Sequence, residues 1–111
     1  MAAGFGATAE LDFRSLFPPL VNDATEAAFI ADAAAELVGT ENVDRNGHLV
    51  MASEDFSYML NRRPGAYIQI GNGAGAGGCE VHNPGYDFND MALPFGASLF
   101  VRLAERKLAP G

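Results

Sequence analysis

Apolar and polar side chains alternate near the start of the chain, with Ala7, Ala9, Leu11 and Phe13 set against Thr8, Glu10, Asp12 and Arg14. That is the period of a strand with one face in water. Pro18-Pro19 ends it, because proline cannot donate to a ladder. The period then lengthens. Ala27, Ile30, Ala31, Ala34, Leu37 and Val38 fall on one stripe of an alanine-rich helix. Asp23, with Glu26 three residues on, supplies a capping-box start, and Gly39 supplies the stop.

Residues 40–50 are polar, with extended structure expected near His48-Leu49-Val50-Met51. Ser53 to Leu60 reads as a short helix capped by Ser53 or Asp55. Arg62-Arg63-Pro64-Gly65 turns the chain into Ala66-Tyr67-Ile68-Gln69-Ile70-Gly71, which alternates little and so predicts a buried strand. Gly71 to Gly78 is a glycine-laden loop. From Asp90 to Leu108 the pattern is helical, with Leu93, Ala97, Phe100, Val101, Ala104 and Leu108 on one stripe. Pro94 is tolerated there only because it falls in the first turn. No repeat of solenoid period is present. The composition changes across residues 39–50, which predicts two structural units, 1–46 and 47–111. The expected fold class is α/β, reading as α+β for this chain by itself.

Bulk properties narrow the function. At 111 residues the chain forms one small domain or part of a larger one. Seven basic against fourteen acidic residues give a net charge of −7, which argues against nucleic acid or an anionic membrane as partner. A single cysteine, Cys79, excludes an internal disulfide and fits a reducing compartment. No stretch approaches the roughly 20 apolar residues of a membrane span, so a cytoplasmic location is expected.

The chemistry concentrates between Gly77 and Asp90, Gly-Gly-Cys-Glu-Val-His-Asn-Pro-Gly-Tyr-Asp-Phe-Asn-Asp. His82 sits there in a turn bounded by glycine and proline, which holds an imidazole in place without relying on a mobile side chain. A metal-bound imidazole wants a carboxylate or carbonyl on its other nitrogen, and Glu80, Asp87 and Asp90 lie close in sequence. A zinc site needs three or four protein donors. Two histidines and one cysteine, without Cys-x-x-Cys or His-x-x-x-His spacing, do not supply them. Gly73-x-Gly75-x-x-Gly78 imitates a dinucleotide fingerprint, but no helix starts within it to meet a pyrophosphate. Glu54-Asp55 offers paired carboxylates for acid–base or supporting work; taken alone, an ordinary acidic first helical turn is the better explanation of them. His48 reads as exposed, and Cys79 has no neighbouring base to lower its pKa.

Several segments, in order, resemble the hippurate hydrolase and auxin-conjugate amidohydrolase group of zinc-type metallopeptidases. Phe17-Pro18-Pro19-Leu20-Val21-Asn22-Asp23 is similar to a Tyr-Pro-Pro-x-Val-Asn run, and Met51-Ala52-Ser53-Glu54-Asp55-Phe56 to a Met-Gly-Ser-Glu-Asp-Phe run. Arg63-Pro64-Gly65-Ala66-Tyr67, Gly71-Asn72-Gly73, the signature from His82 to Asp90, and Leu93-Pro94-x-Gly96-Ala97 complete the likeness. Departures are Phe17, Leu20 and a short glycine loop. The resemblance implies the end of a ferredoxin-like lid domain over residues 1–46, then the C-terminal strand and helices of a mixed-sheet catalytic domain over 47–111. It implies His82 as a metal ligand, with Glu54, Asp55 and Asp87 as carboxylates that brace the site. The cofactor would be a divalent metal, zinc or manganese, and the substrate an N-acyl amino acid cleaved at its amide by metal-activated water. The group's other ligands and its glutamate base have no counterpart here. The chain is therefore expected to be the C-terminal portion of such an enzyme, inactive alone, with a homo-oligomer or a missing N-terminal partner as its assembly.

Overall fold

A computed structural model describes residues 1–75 and 77–109. Helix α1 spans Ala24–Val38, α2 spans Phe56–Leu60 and α3 spans Leu93–Leu108. Short 3-10 turns occupy Ala2–Phe5, Thr40–Asn42 and Asp90–Ala92.

Helix α1 starts where its sequence provides a cap, whereas α3, with Ala92 at its cap position, has no side-chain cap and follows a capped 3-10 turn. Asp23 Oδ1 accepts the N–H groups of Thr25 and Glu26 at 2.9 and 3.0 Å, satisfying two of the donors that a helix start leaves free. The return half of the expected capping box does not form. Asp23 N–H donates to Gly65 O at 2.9 Å, and the Glu26 carboxylate takes Lys107 Nζ at 3.0 Å instead. Before α3, Asn89 Oδ1 accepts from Met91 N–H at 3.1 Å. Pro94 occupies the first turn, as required. For α2, Asp55 stands at the cap position but makes no capping bond with its side chain.

The α/β expectation is overturned. No strand forms among the described residues, so neither a ferredoxin-like unit nor a mixed sheet is present, and residues 7–14 and 66–71 carry no regular structure. The reason is pairing. A strand exists through its neighbour, and even a two-stranded hairpin is marginal in water. Neither the alternating segment 7–14 nor the apolar segment 66–71 finds such a neighbour among the described residues. At Tyr67 a side chain takes the neighbour's place: Asn22 Oδ1 accepts Tyr67 N–H at 2.8 Å and Asn22 Nδ2 donates to Tyr67 O at 3.0 Å. Two backbone bonds would meet both groups in an antiparallel pair; one amide meets them here. Tyr58 adds a hydroxyl bond to Leu16 O and a ring contact with Phe17 at 6.2 Å. Residues 16–23 are thereby tied to residues 58–67.

Helices α1 and α3 pack together across the boundary expected between the two units. The seam holds little hydrocarbon. Ala33 and Leu99 are the buried apolar residues, and the border is ionic and aromatic. Glu36 meets Arg106 at 3.1 Å and Arg102 at 3.6 Å. Arg106 and Lys107 lie 5.1 and 4.9 Å from the centre of the Phe29 ring. Exposed ion pairs contribute about 0–1 kcal/mol each, and a cation over a ring at such a site about 0.5–1 kcal/mol.

The face of α3 that packs is not the one its stripe predicts. Gly96, Leu99, Leu103 and Arg106 turn inward, whereas Leu93, Phe100, Val101 and Leu108 are exposed, Phe100 by 76% and Leu108 by 80%. With Leu11 and Phe13 also more than 80% exposed, the chain bares apolar surface at both ends. Its dimensions agree. The radius of gyration is 19.6 Å, against roughly 13 Å for a compact chain of this length. The accessible surface is 9469 Å², against about 5,900 Å² for a compact monomer of its mass.

Leu99→Ala is expected to destabilise the α1–α3 contact by about 2–3 kcal/mol. Phe100→Gln, one position along, should change it by less than about 0.5 kcal/mol while lowering binding of an apolar dye. Urea unfolding followed by circular dichroism, with dye fluorescence on the same samples, reads both.

Candidate functional site

The His82 turn is built by glycine at its base and by local bonds within. Asp87 N–H donates to Gly77 O at 3.1 Å and closes the base. Gly77 has φ +79°, and a Cβ there would lie 2.5 Å from Asp87 Cβ. Gly78 is as constrained, since a Cβ would come within 2.4 Å of Gly73 O. Inside, Asn83 N–H donates to Glu80 O at 3.3 Å, Tyr86 N–H to Asn83 O at 2.9 Å, and Gly85 N–H to Asn83 Oδ1 at 2.9 Å. His82 stands near the tip with φ +69°, the one non-glycine residue in the left-handed region among those described. Asn, Asp and His are the side chains found there most often, and even for them the conformation is uncommon and costs on the order of 1 kcal/mol. Such an outlier points towards function. The imidazole is exposed.

The other candidates do not converge on it. No hydrogen bond among the described residues joins His82 to Glu54, Asp55 or Asp87, and Asp87 serves through its backbone. Cys79 is exposed and its thiol points back to Gly77 O at 3.8 Å. Among the described residues no three His, Cys, Asp or Glu side chains come together as a cation would require. The groups present therefore do not fit a metal ion by themselves; one imidazole is a single donor where three or four are needed. Two hollows lie away from His82: one of about 460 Å³ is lined by Val21 to Asp23 and Leu60 to Gly65, and one of about 330 Å³ lies between α1, Ala66 and α3.

The glycine loop before the turn, in which Ala76 lies outside the described residues, is followed by no helix among the described residues before Asp90.

Glu54 and Asp55 form a pair with opposite shifts. A hydrogen bond with Asp55, and then one from Tyr67 Oη at 3.1 Å, hold the Glu54 carboxyl below the usual glutamate range. Asp55 is raised, first by its hydrogen bond with Glu54 and then by that residue's charge. Two adjacent carboxylates resist ionising together, which separates their titrations in these opposite directions. The Tyr67 phenol is raised in turn, first by its bond to Glu54, and its ring packs on Phe56 at 5.6 Å between centroids. Sequence adjacency showed the pair but not Tyr67. The missed signal is the aromatic at the start of the segment 66–71, thirteen residues from Glu54 and brought to it by the turn at residues 61–63.

The signs follow from linkage. The lowered Glu54 favours the folded arrangement above the ordinary glutamate value, and this contribution is lost as pH falls through its folded pKa. The raised Asp55 contributes below the ordinary aspartate value and loses that contribution as pH rises through its own. Tyr67→Phe is expected to raise the Glu54 pKa. Carboxyl-carbon NMR titration checks this; a Glu54 midpoint that stays put or falls would contradict the assignment. Gly77→Ala is expected to open the base of the turn, seen as at least about tenfold faster exchange of the Asp87 amide, a factor equivalent to one net hydrogen bond.

Comparison with known proteins places this geometry. The description "Peptidase family M20/M25/M40" matches residues 3–106. The chain is 35% identical over 97 residues to the IAA-amino acid hydrolase ILR1-like 4 of Arabidopsis thaliana, covering 86% of this chain and 22% of that protein. It is 33% identical over 91 residues to the hippurate hydrolase of Campylobacter jejuni (82% and 23%), and 31% identical over 104 residues to the N-acetylcysteine deacetylase of Bacillus subtilis (94% and 26%). It thus spans about a quarter of the length of these curated relatives or slightly less. No solved structure matches it. No helix of the described residues is long and apolar enough to cross a membrane. With nearly its whole length matched, the chain belongs to the Peptidase M20/M25/M40 family.

Proposed function

We propose that this chain is the C-terminal portion of a metal-dependent amidohydrolase acting on N-acyl amino acids, and that His82 is the donor it contributes. The observation that carries the reading is the His82 turn. The signature from His82 to Asp90 sits on a backbone outlier at φ +69°, in a loop that glycine alone can close. A conformation that costs energy, at an exposed imidazole, is what a ligand-presenting residue would need. The names of the relatives support the substrate class: hippurate, IAA–amino acid conjugates and N-acetylcysteine all carry an acylated amino group.

The remaining donors would come from residues outside this chain, joined to it or supplied by a second chain. Zinc or manganese there would supply Lewis acidity and an activated water. What this chain's own residues do is more limited. The turn fixes His82. Tyr67 Oη donates to Glu54 at the entry to α2 and holds that carboxyl in place. The bare faces of α3 and of residues 11–21 would meet the rest of the enzyme. Residues 1–46 as the end of a lid and 47–111 as the end of the catalytic part complete this reading.

The test is hydrolysis of hippurate and of an IAA–amino acid conjugate with zinc or manganese present. The 111-residue chain alone is expected to give no turnover. An extended chain that carries the upstream reading frame is expected to be active, and His82→Ala in it should lower kcat by at least about a hundredfold, as loss of a metal donor does. Turnover by the short chain, or an extended enzyme indifferent to His82→Ala, overturns the proposal.

A further inference from the structure

The His82 turn is held to the rest of the chain by very few bonds. Among the described residues, two hydrogen bonds join residues 77–87 to anything outside them. One is local, from Gly78 N–H to Gly75 O at 2.9 Å. The other comes from a side chain: Asn72 Nδ2 donates to Asp87 O at 2.7 Å. The same amide, through Oδ1, accepts Asn89 N–H at 2.8 Å. Asn89 answers with a bond from its own Nδ2 to Asn72 O at 3.2 Å, and its Oδ1 accepts Met91 N–H at 3.1 Å at the entry to α3. One amide thus grips both sides of Phe88, at the base of the turn and at the start of the helix.

We infer that Asn72 is the positioning residue for His82, holding the turn in register with α3 so that the imidazole keeps its left-handed backbone. The inference rests on the proposed role of His82 only for its catalytic consequence; the geometry stands without it. The chemistry requires asparagine. A donor and an acceptor must leave one planar group in divergent directions, to a carbonyl at residue 87 and an N–H at residue 89. Aspartate keeps only the acceptor, and it sets a negative charge beside Asp87 and Asp90. Alanine keeps neither. At His82 a negative φ is the lower-energy choice, so the turn returns to it once its base is free. Gly73 follows at φ +80°, a backbone conformation that glycine adopts without strain.

The experiment uses the full 111-residue chain, with His48 as an internal control. In Asn72→Ala the strong intraresidue HN–Hα cross-peak that marks a positive φ at His82 is expected to disappear. The Asn89 amide, which loses its acceptor, should exchange at least about tenfold faster, and the Asp87 amide faster than in the unsubstituted chain, while His48 and the amides of α1 are unchanged. Asn72→Asp should fall between. A His82 signal and Asp87 exchange identical to the unsubstituted chain would overturn the inference; so would changes spread equally over His48 and α1, because those report general loosening. A second readout covers poor behaviour of the short chain. In the extended enzyme Asn72→Ala should lower kcat about 10–100-fold, as loss of a ligand's outer partner does, with KM for hippurate within about twofold. Loss in KM and melting temperature without a kcat effect sinks it. If His82→Ala leaves hydrolysis intact while Asn72→Ala still releases the His82 backbone, the proposed function has failed and this inference has not.

Discussion

Ala33 on α1 and Leu99 on α3 are the apolar residues that the described chain buries, and everything else in the architecture follows from how little that is. Full burial of a leucine contributes about 1.5–3 kcal/mol. Ordering a single residue's backbone costs about 1–2 kcal/mol. A seam of two helices with such a core, bordered by exposed pairs between Glu36, Arg102 and Arg106, cannot alone order a hundred residues. The extended shape is the geometric form of the same deficit. Surface that a compact chain would remove from water stays in contact with it, most of all along Leu93, Phe100, Val101 and Leu108 and at Leu11 and Phe13.

In the irregular half of the molecule, side-chain amides do what backbone neighbours usually do. Asn22 satisfies both main-chain groups of Tyr67, Asn72 bridges residues 87 and 89, and Asn83 and Asn89 each accept an N–H two residues onward. An unpaired buried N–H or C=O is costly, which is why such groups find partners of some kind. These bonds are largely exposed, and water competes for them. They fix direction more than they add stability, and so suit a loop whose task is to aim one side chain.

The helices were legible because their signals are local. Asp23 caps α1, Gly39 ends it, and Pro94 is confined to the first turn of α3. The strands were misread because alternation reports only a preference for pairing, while a ladder needs a second segment that the structure does not bring up. The buried face of α3 was misread for another reason. Leu93, Phe100 and Leu108 form the more regular stripe, but Gly96, Leu99 and Leu103 are apolar too, and the small Gly96 lets Ile70 approach. Apolar on two adjacent faces, the helix gave its period away without its orientation. At the candidate site the His82 motif was readable as residues, its positive φ was not, and Asn72 looked like ordinary loop composition. The Glu54–Asp55 adjacency was plain, whereas the bond from Tyr67 depends on a turn between them.

The two misread features meet at one place. The bare face of α3 begins at Leu93, four residues after Asn89, and Asn89 is the residue that Asn72 grips on behalf of the His82 turn. Whatever packs on Leu93, Ala97 and Phe100 fixes the first turns of α3. A fixed α3 holds Asn89, and through Asn72 the carbonyl of Asp87 at the base of the turn. The stripe that the chain cannot bury by itself and the imidazole it cannot surround with further donors are therefore mechanically connected across about ten residues. Under the proposed function, covering the first would steady the second.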